Sequence, residues 1–110
     1  MNKHTHPSPG NAEHLRVAVR IVRALAHPLR LKIISMIEDN NGTANVGEIY
    51  QALGIEQSIA SQHLRVLRQA SLVRTRRNRK FIFYSLDYER IARTSKALSI
   101  LEDLDGKAKE

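Results

Sequence analysis

The stretch from Gln57 to Leu86 holds the residues whose types and spacing point most clearly to chemistry. These thirty residues include seven of the chain's eighteen Lys and Arg residues, and they include no Asp or Glu. A positive charge that no acid offsets attracts the phosphates of a nucleic acid. Taken by itself, such a run is more simply interpreted as a solvated basic surface. The pattern of the other polar residues decides between that interpretation and a surface that binds nucleic acid.

The first part of this stretch predicts an amphipathic helix from Gln57 to about Ala70. At about 100° per residue, Ala60, Leu64 and Leu67 lie together on one face. The opposite face carries hydroxyl, amide and guanidinium groups, which pair with base edges and phosphates, and it carries no acid. We therefore expect this helix to contact nucleic acid. The residues predicted to do so are Gln57, Ser58, Ser61, Gln62, His63, Arg65 and Gln69.

The second part of the stretch predicts a basic β-hairpin. After Ser71 the period of the pattern changes from 3.6 to 2, which predicts one strand over Leu72–Arg76 and another over Lys80–Leu86. Asn78 tolerates the positive φ of a tight turn and is predicted at the tip. Cations crowded at a tip repel each other, and an anionic partner would explain them. The residues predicted to contact that partner are Arg76, Arg77, Asn78, Arg79 and Lys80.

A helix-turn-helix is predicted to hold the polar helix in place. The short helix Val46–Leu53 starts with Asn45 followed three residues later by Glu48, which is the pattern of a capping box. Gly54 suits the left-handed residue that ends such a helix. The next helix begins about three residues later, and this short connection with a glycine is typical of a helix-turn-helix.

Three further helices are predicted on either side of this unit. Asn11 caps a first helix that runs to about Leu25, and Pro28 opens a second that runs to about Asp39. Asp87 caps a last helix from Tyr88 to about Leu104. The fold class is therefore mainly α with a small β-hairpin, in the order helix, helix, helix-turn-helix, hairpin, helix. We predict one domain over residues 11–105, a flexible tail over residues 1–10 and a frayed tail over residues 106–110.

Composition limits the class of protein further. The chain has 110 residues with a formal net charge of +7, which is the size of one domain, and it has no cysteine. Disulfides, thiolate zinc sites and iron–sulfur clusters are therefore excluded. No apolar run approaches the ~20 residues of a membrane span, and the first residues lack a secretory signal, so we expect a cytoplasmic protein without membrane contact. No nucleophile–base pair, paired carboxylates or phosphate-binding loop is apparent, so we do not expect an enzyme.

The chain resembles the ArsR/SmtB family of bacterial repressors, whose fold is a winged helix-turn-helix. Three segments carry the resemblance, which covers about residues 15–104. They are RALAHPLRLKIISMI (23–37), VGEIYQALGIEQSIASQHLRVLRQASLV (46–73) and RRNRKFIFYSL (76–86). The resemblance implies a sequence-specific DNA-binding regulator, expected to be a repressor. The helix from Gln57 would then enter the major groove of double-stranded DNA, and the hairpin tip would reach a minor groove or flanking phosphates.

The resemblance also implies a homodimer, in which the first and last helices form the shared interface. The sequence agrees, because both terminal helices have apolar stripes that a small hairpin cannot cover. Two copies would read a pseudo-palindromic operator with half-sites about one helical turn apart. The residues predicted at the dimer interface are Leu15, Val19, Val22, Ile91, Leu98 and Leu101.

Many members of this family are metal sensors, but the residues for two of their types of metal site are missing here. One type needs thiolates on the third helix, and the chain has no Cys. The other needs His on the last helix, and Tyr88–Leu104 has none. We therefore predict no metal and no cofactor. Three alternatives remain for its regulation: a constitutive regulator, one that responds to an unknown small molecule or protein, and one that senses pH.

The five histidines have structural alternatives to a role as ligands. His27 precedes Pro28 and is expected to cap or pack against a helix. His63 lies at the edge of an apolar face, where packing with one hydrogen bond competes with a base contact. His4, His6 and His14 could chelate a metal together with the amino terminus, although incidental residues in a mobile tail are the preferred interpretation.

Two other functions remain open for this fold. A protein-interaction module on a winged-helix scaffold would show an exposed apolar patch on the helix from Gln57. A non-specific nucleic-acid binder would share the charge but would not need the face of Ser and Gln residues.

Overall fold

The computed structural model describes residues 9–96, with the side chains from residue 12 onward apart from that of residue 14. The helices are α1 (Pro9–Leu25), α2 (Pro28–Asp39), α3 (Val46–Leu53), α4 (Gln57–Gln69) and α5, which is helical over residues 88–96. The strands are β1 (Thr43–Asn45), β2 (Val73–Asn78) and β3 (Phe81–Leu86). The predicted class, mainly helical with a small sheet, is confirmed. No helix within the described range is long and apolar enough to cross a membrane.

The sequence signals at helix ends are mostly confirmed. His27 caps α2, because its Nδ1 accepts a hydrogen bond from the backbone N–H of Leu29 at 3.2 Å. Asn45 and Glu48 form the predicted capping box at the start of α3, and Gly54 follows α3 with a φ of 65°. Asn11, the predicted cap of α1, is instead the third residue of that helix. Proline is well suited to the first turn of a helix, and α1 begins at Pro9.

The sheet has a strand that the sequence does not reveal. β1 pairs antiparallel with β3, so the sheet has three strands in the order β1-β3-β2 instead of the predicted two-stranded hairpin. The Ser85 hydroxyl donates to the Thr43 hydroxyl across this pair at 3.2 Å. Three residues are too few to show an alternating pattern, and β1 depends on a partner about forty residues away. Its last residue, Asn45, is also the capping residue of α3.

The hairpin turn begins one residue beyond Asn78, the predicted tip. Val73 pairs with Leu86 at the base of the hairpin and Asn78 pairs with Phe81 at its end, so Arg79 and Lys80 form the turn. Arg79 has the positive φ, at 58°, that was expected of Asn78. The buried Val73 and Leu86 fix this register because a shift by one residue would move them out of the core.

The hydrophobic core fills the space between the helices and the inner face of the sheet. The face of α4 formed by Ala60, Leu64 and Leu67 is fully buried, as its periodicity predicts. The largest fully buried side chains are Ile33, Ile37, Ile49, Leu64, Leu67 and Leu72. Because α4 is held from one side by this core, its opposite face remains open to solvent.

Asp87 joins the hairpin to α5. Its Oδ1 accepts a hydrogen bond from the backbone N–H of Arg90 at 3.0 Å, which confirms the predicted cap. Its Oδ2 accepts from Arg74 at the base of β2, at 3.1 Å. The backbone hydrogen bond is the main reason that the pKa of Asp87 lies below its ordinary value, and the pairing with Arg74 adds to it. Tyr88 then ties α5 to α2 by donating to Glu38 at 2.6 Å.

Candidate nucleic-acid interface

The outer face of α4 presents a row of polar side chains to solvent. Ser61 is half-buried, and the other predicted contacts on this face are exposed: Gln57, Ser58, Gln62, Arg65 and Gln69. The burial of the opposite face fixes this orientation. Amides, hydroxyls and a guanidinium therefore project together from one rigid helix, without a carboxylate among them.

His63 does not belong to this row, which corrects the prediction that it contacts nucleic acid. The residue is only 9% exposed. Its Nδ1 accepts a hydrogen bond from Arg30 Nε at 3.2 Å, and its ring lies 4.5 Å from that of His27. His63 is therefore packed in the interior with one hydrogen bond, which is the alternative to a base contact. The apolar face of α4 extends as far as His63 because α2 supplies partners on that side.

The tip of the hairpin is a cluster of free cations. Arg76, Arg77, Asn78, Arg79 and Lys80 are all exposed. Arg77 Nε donates to the backbone carbonyl of Arg79 at 3.3 Å, and Lys80 Nζ lies 5.4 Å from the centre of the Phe81 ring. Among the described residues, none of these cations is in a salt bridge, whereas Arg74 at the base is paired with Asp87. Four cations outside any described salt bridge therefore lie within five consecutive residues at the tip.

A cleft of about 380 Å³ lies between α4 and the hairpin. On one side it is lined by Gln57 and Ser61, and on the other by Lys80. Tyr50 of α3 and Tyr84 of β3 also line it. The ammonium, amide and hydroxyl groups of this lining suit a phosphate, whereas Val46, Phe81 and Ile82 make part of the lining apolar. The sequence gives no signal for the two tyrosines, because only the pairing of β3 with β1 brings Tyr84 beside the start of α3.

The outer face of α1 is apolar and uncovered. Leu15 is 67% exposed, Val19 41% and Val22 38%. A second cleft, of about 430 Å³, lies beside this face between α1 and α5, and Val22 also lines it. Ile91 is half-buried on α5, and the other two predicted interface residues, Leu98 and Leu101, lie outside the described residues. Contiguous exposed apolar side chains of this kind mark a surface that binds another molecule.

Comparison with known proteins identifies the family. A family model described as the arsR family of bacterial regulatory proteins matches residues 27–75. A biofilm growth-associated repressor from Xylella fastidiosa is 41% identical over 78 residues, which are 71% of this chain and 67% of the relative. The chain belongs to the ArsR family. The resemblance drawn from its sequence motifs is thereby confirmed.

Solved structures similar to this ArsR-family chain share its fold. NolR from Sinorhizobium fredii is 33% identical, with a TM-score of 0.66 over 87% of this chain and 94% of that chain. A protein from Mycobacterium bovis, described as a homodimeric winged helix-turn-helix DNA-binding domain, is 29% identical. Its TM-score is 0.71, over 88% of each chain. In the winged helix-turn-helix of this ArsR-family chain, α3 and α4 are the helix pair and β2 and β3 are the wing.

Metal ligands are scarce in the part of this ArsR-family chain that the structure describes. Residues 9–96 contain no group of three or more His, Asp or Glu side chains that could hold a metal ion. His27 and His63 are neighbours, but both Nδ1 atoms already accept hydrogen bonds from Leu29 and Arg30. His4 and His6 lie outside the described residues, as does the side chain of His14.

Proposed function

We propose that this ArsR-family protein is a sequence-specific transcriptional regulator, a repressor, that binds a pseudo-palindromic DNA operator as a homodimer. The observation that carries the proposal is the acid-free polar face of α4 beside the unpaired cations of the wing tip. The ArsR-family relative from Xylella fastidiosa is itself named a repressor. Regulators of this kind bind DNA without chemical conversion, so no enzymatic activity is proposed.

The two surfaces suit different parts of a DNA duplex. Gln62 and Gln69 carry the amide pattern that pairs with adenine in the major groove, where a helix such as α4 fits. Arg65 reaches guanine or a phosphate from the same face. The cations of the wing tip are placed for the flanking backbone or the adjacent minor groove. The cleft between α4 and the wing would take the phosphate that separates the two grooves.

The homodimer would supply the second half-site. The exposed stripe of Leu15, Val19 and Val22 gives α1 an apolar face, and the Mycobacterium bovis relative is described as homodimeric. A two-fold axis through this face would place two copies of α4 on one side of the DNA. The operator would then have two half-sites about 34–36 Å apart, which is one turn of the duplex.

The interaction-module alternative has little support on α4. Such a module needs an exposed apolar patch on α4, the proposed recognition helix. Among the large apolar side chains of α4, only Ile59 is exposed, at 38%. Its neighbours on the outer face are polar. An isolated exposed apolar residue is ordinary on a protein surface.

Fluorescence anisotropy with labelled duplexes tests the proposed function. A duplex from the region upstream of the protein's own gene and a scrambled duplex of equal composition are titrated at two salt concentrations. We expect a preference of about 10³-fold or more for the upstream duplex. Affinity for both duplexes should fall steeply with salt. Equal affinity for both would favour a non-specific binder, and no binding at low salt would contradict the DNA function.

Gln62→Ala is expected to weaken recognition at one base position. Its exposed amide reads a base edge, so its loss should cost about 1–3 kcal/mol on the cognate operator and almost nothing on the scrambled duplex. Arg65→Ala is the contrast: if Arg65 contacts a phosphate and not guanine, its loss lowers affinity for both duplexes and reduces the salt slope by about one. If Gln62→Ala loses the same affinity on both duplexes, Gln62 contacts the DNA backbone and not a base edge.

Arg77→Ala combined with Arg79→Ala is expected to lower DNA affinity while the melting temperature stays nearly constant. Both guanidiniums are exposed, and their one described hydrogen bond is local to the turn. Lys32→Ala is the control, since Lys32 is an exposed cation of α2, outside the wing, the polar face of α4 and the predicted dimer interface. Anisotropy and thermal unfolding are measured on the same samples. If melting temperature and affinity fall together, the two wing arginines stabilise the fold and do not act as DNA contacts.

A further inference from the structure

His27, Arg30 and His63 form a cluster where α1, α2 and α4 meet. The two imidazole rings are 4.5 Å apart at an interplanar angle of 53°. Arg30 Nε donates to His63 Nδ1 at 3.2 Å, across 33 residues of sequence. Because Arg has no acceptor, this contact requires that His63 Nδ1 carries no proton. The described geometry is therefore that of a neutral His63 with its proton on Nε2.

The same guanidinium also holds the end of α1. Arg30 donates through one terminal nitrogen to the backbone carbonyls of Ala24, at 3.1 Å, and Arg23, at 3.3 Å. The last carbonyls of a helix have no partner within the helix, so Arg30 supplies one. One side chain of α2 thus connects the end of α1, which carries the apolar outer face, to the recognition helix α4.

We propose that Arg30 and His63 are positioning residues for DNA binding, which hold α4 in a fixed orientation relative to α1 as long as His63 is neutral. This inference rests on the proposed function, because it concerns how the two recognition helices of a dimer are spaced. Neither residue needs to touch DNA. An α1 face that joins two protomers sets the spacing of the two α4 helices only when α1 and α4 are rigidly connected.

Protonation of His63 breaks this connection for two reasons. A protonated Nδ1 cannot accept from Arg30, and the new charge faces the positive Arg30 and the His27 ring, both from α2. From α1, the backbone carbonyls of Arg23 and Ala24 contact Arg30, and the side chain of Arg23 lines a groove between α1 and α4 that Arg30 also lines. Burial is the main reason that the pKa of His63 lies below its ordinary 6.5, and His27 and Arg30 lower it further.

The sign of the pH effect follows from that lowered pKa. The folded protein binds this proton less readily than the unfolded chain, so the stabilisation is fully present above the ordinary pKa of 6.5. It is lost as the pH falls from there through the pKa of the folded state. DNA affinity should fall in the same window. Added positive charge alone would strengthen the attraction for phosphates, so the expected direction is opposite to that of simple electrostatics.

The test measures operator affinity at about pH 7.5 and about pH 5.5, at constant ionic strength and with a dye that does not titrate. We expect the wild-type affinity to fall about tenfold on acidification, within the usual range of coupling between sites. His63→Asn keeps an acceptor near the position of Nδ1 but cannot be protonated, so its affinity should stay constant. Arg30→Met keeps the apolar stem without the donors, and its affinity should be low at both values.

His27→Asn is the matched control. Asparagine is a good capping residue, so this variant keeps the start of α2 and removes a neighbouring imidazole without touching the contact between Arg30 and His63. It should retain the loss of affinity at low pH. A pH response of His63→Asn equal to that of wild type, or full affinity of Arg30→Met, would overturn the positioning role while specific binding by the wild type still supports the proposed function. A wild type that binds no DNA at either pH would overturn both.

The imidazole ¹⁵N spectrum of the wild type gives a second readout that does not depend on any variant folding. His63 should be the Nε2–H tautomer at neutral pH, with a pKa below 6.5. A proton on Nδ1 at neutral pH would exclude the contact with Arg30 and overturn the inference. In folded Arg30→Met, the pKa of His63 should rise towards its ordinary value.

Discussion

Val19→Asp is expected to convert the protein to a monomer and to reduce its affinity for the operator by about 10²–10⁴-fold. That is the factor by which linking two binding modules usually raises affinity. Val19 is 41% exposed between Leu15 and Val22 on the outer face of α1. In a dimer closed through this face, its replacement buries a carboxylate among apolar side chains, which strongly disfavours association.

Light scattering measures the molecular mass of the variant, and fluorescence anisotropy measures its operator affinity on the same samples. Leu31→Asp is the control, since Leu31 is 51% exposed on α2 and is not part of the α1 face. It should leave both the mass and the affinity unchanged. A Val19→Asp protein that stays dimeric, or a wild type that is monomeric at micromolar concentration, would contradict the proposed interface.

Leu67→Ala is expected to lower the free energy of unfolding by about 2–5 kcal/mol. Leu67 is 0% exposed and lies in the core beneath α4. Its truncation removes buried apolar surface and leaves a cavity that the surrounding helices cannot fully close. For a domain that is stable by about 5–15 kcal/mol, this is a large part of the total.

Urea denaturation measures the free energy of unfolding of Leu67→Ala and of Leu31→Ala. Both variants carry the same Leu→Ala truncation, one in the core and one on the surface. The exposed Leu31 should cost no more than about 0.5 kcal/mol. Because α4 depends on this core for its position, DNA affinity of Leu67→Ala should fall when the folded fraction falls. A loss below about 1 kcal/mol would mean that Leu67 is less tightly packed than its burial indicates.

Features set by neighbouring residues were predictable from the sequence. The capping box of Asn45 and Glu48, the left-handed Gly54 and the cap by His27 each depend on residues within three positions, and each is confirmed. The buried face of α4 follows from its period in the same way. These local signals were enough to indicate a helix-turn-helix and the outward face of its second helix.

Features set by distant pairs were not predictable. β1 exists because Thr43 pairs with Ser85, and the register at the base of the hairpin moves its turn to Arg79 and Lys80. His63 was expected at the edge of the apolar face, but its hydrogen-bond partner, Arg30, is 33 residues away and could not be identified. A single sequence shows the types of such residues but not their partners. The predicted contacts on the polar face of α4 and on the wing stay predictions until DNA binding is measured.

The short strand β1 has a consequence for how the protein would choose among DNA sequences. Asn45 pairs with Phe83 of the wing and also caps α3, so one residue links the wing directly to the helix pair. On DNA, α4 and the wing would then keep a fixed separation across two neighbouring grooves. DNA whose groove width already matches that separation binds without distortion, whereas other sequences have to be deformed at an energetic cost. Base pairs that no side chain touches would therefore contribute to the choice of operator.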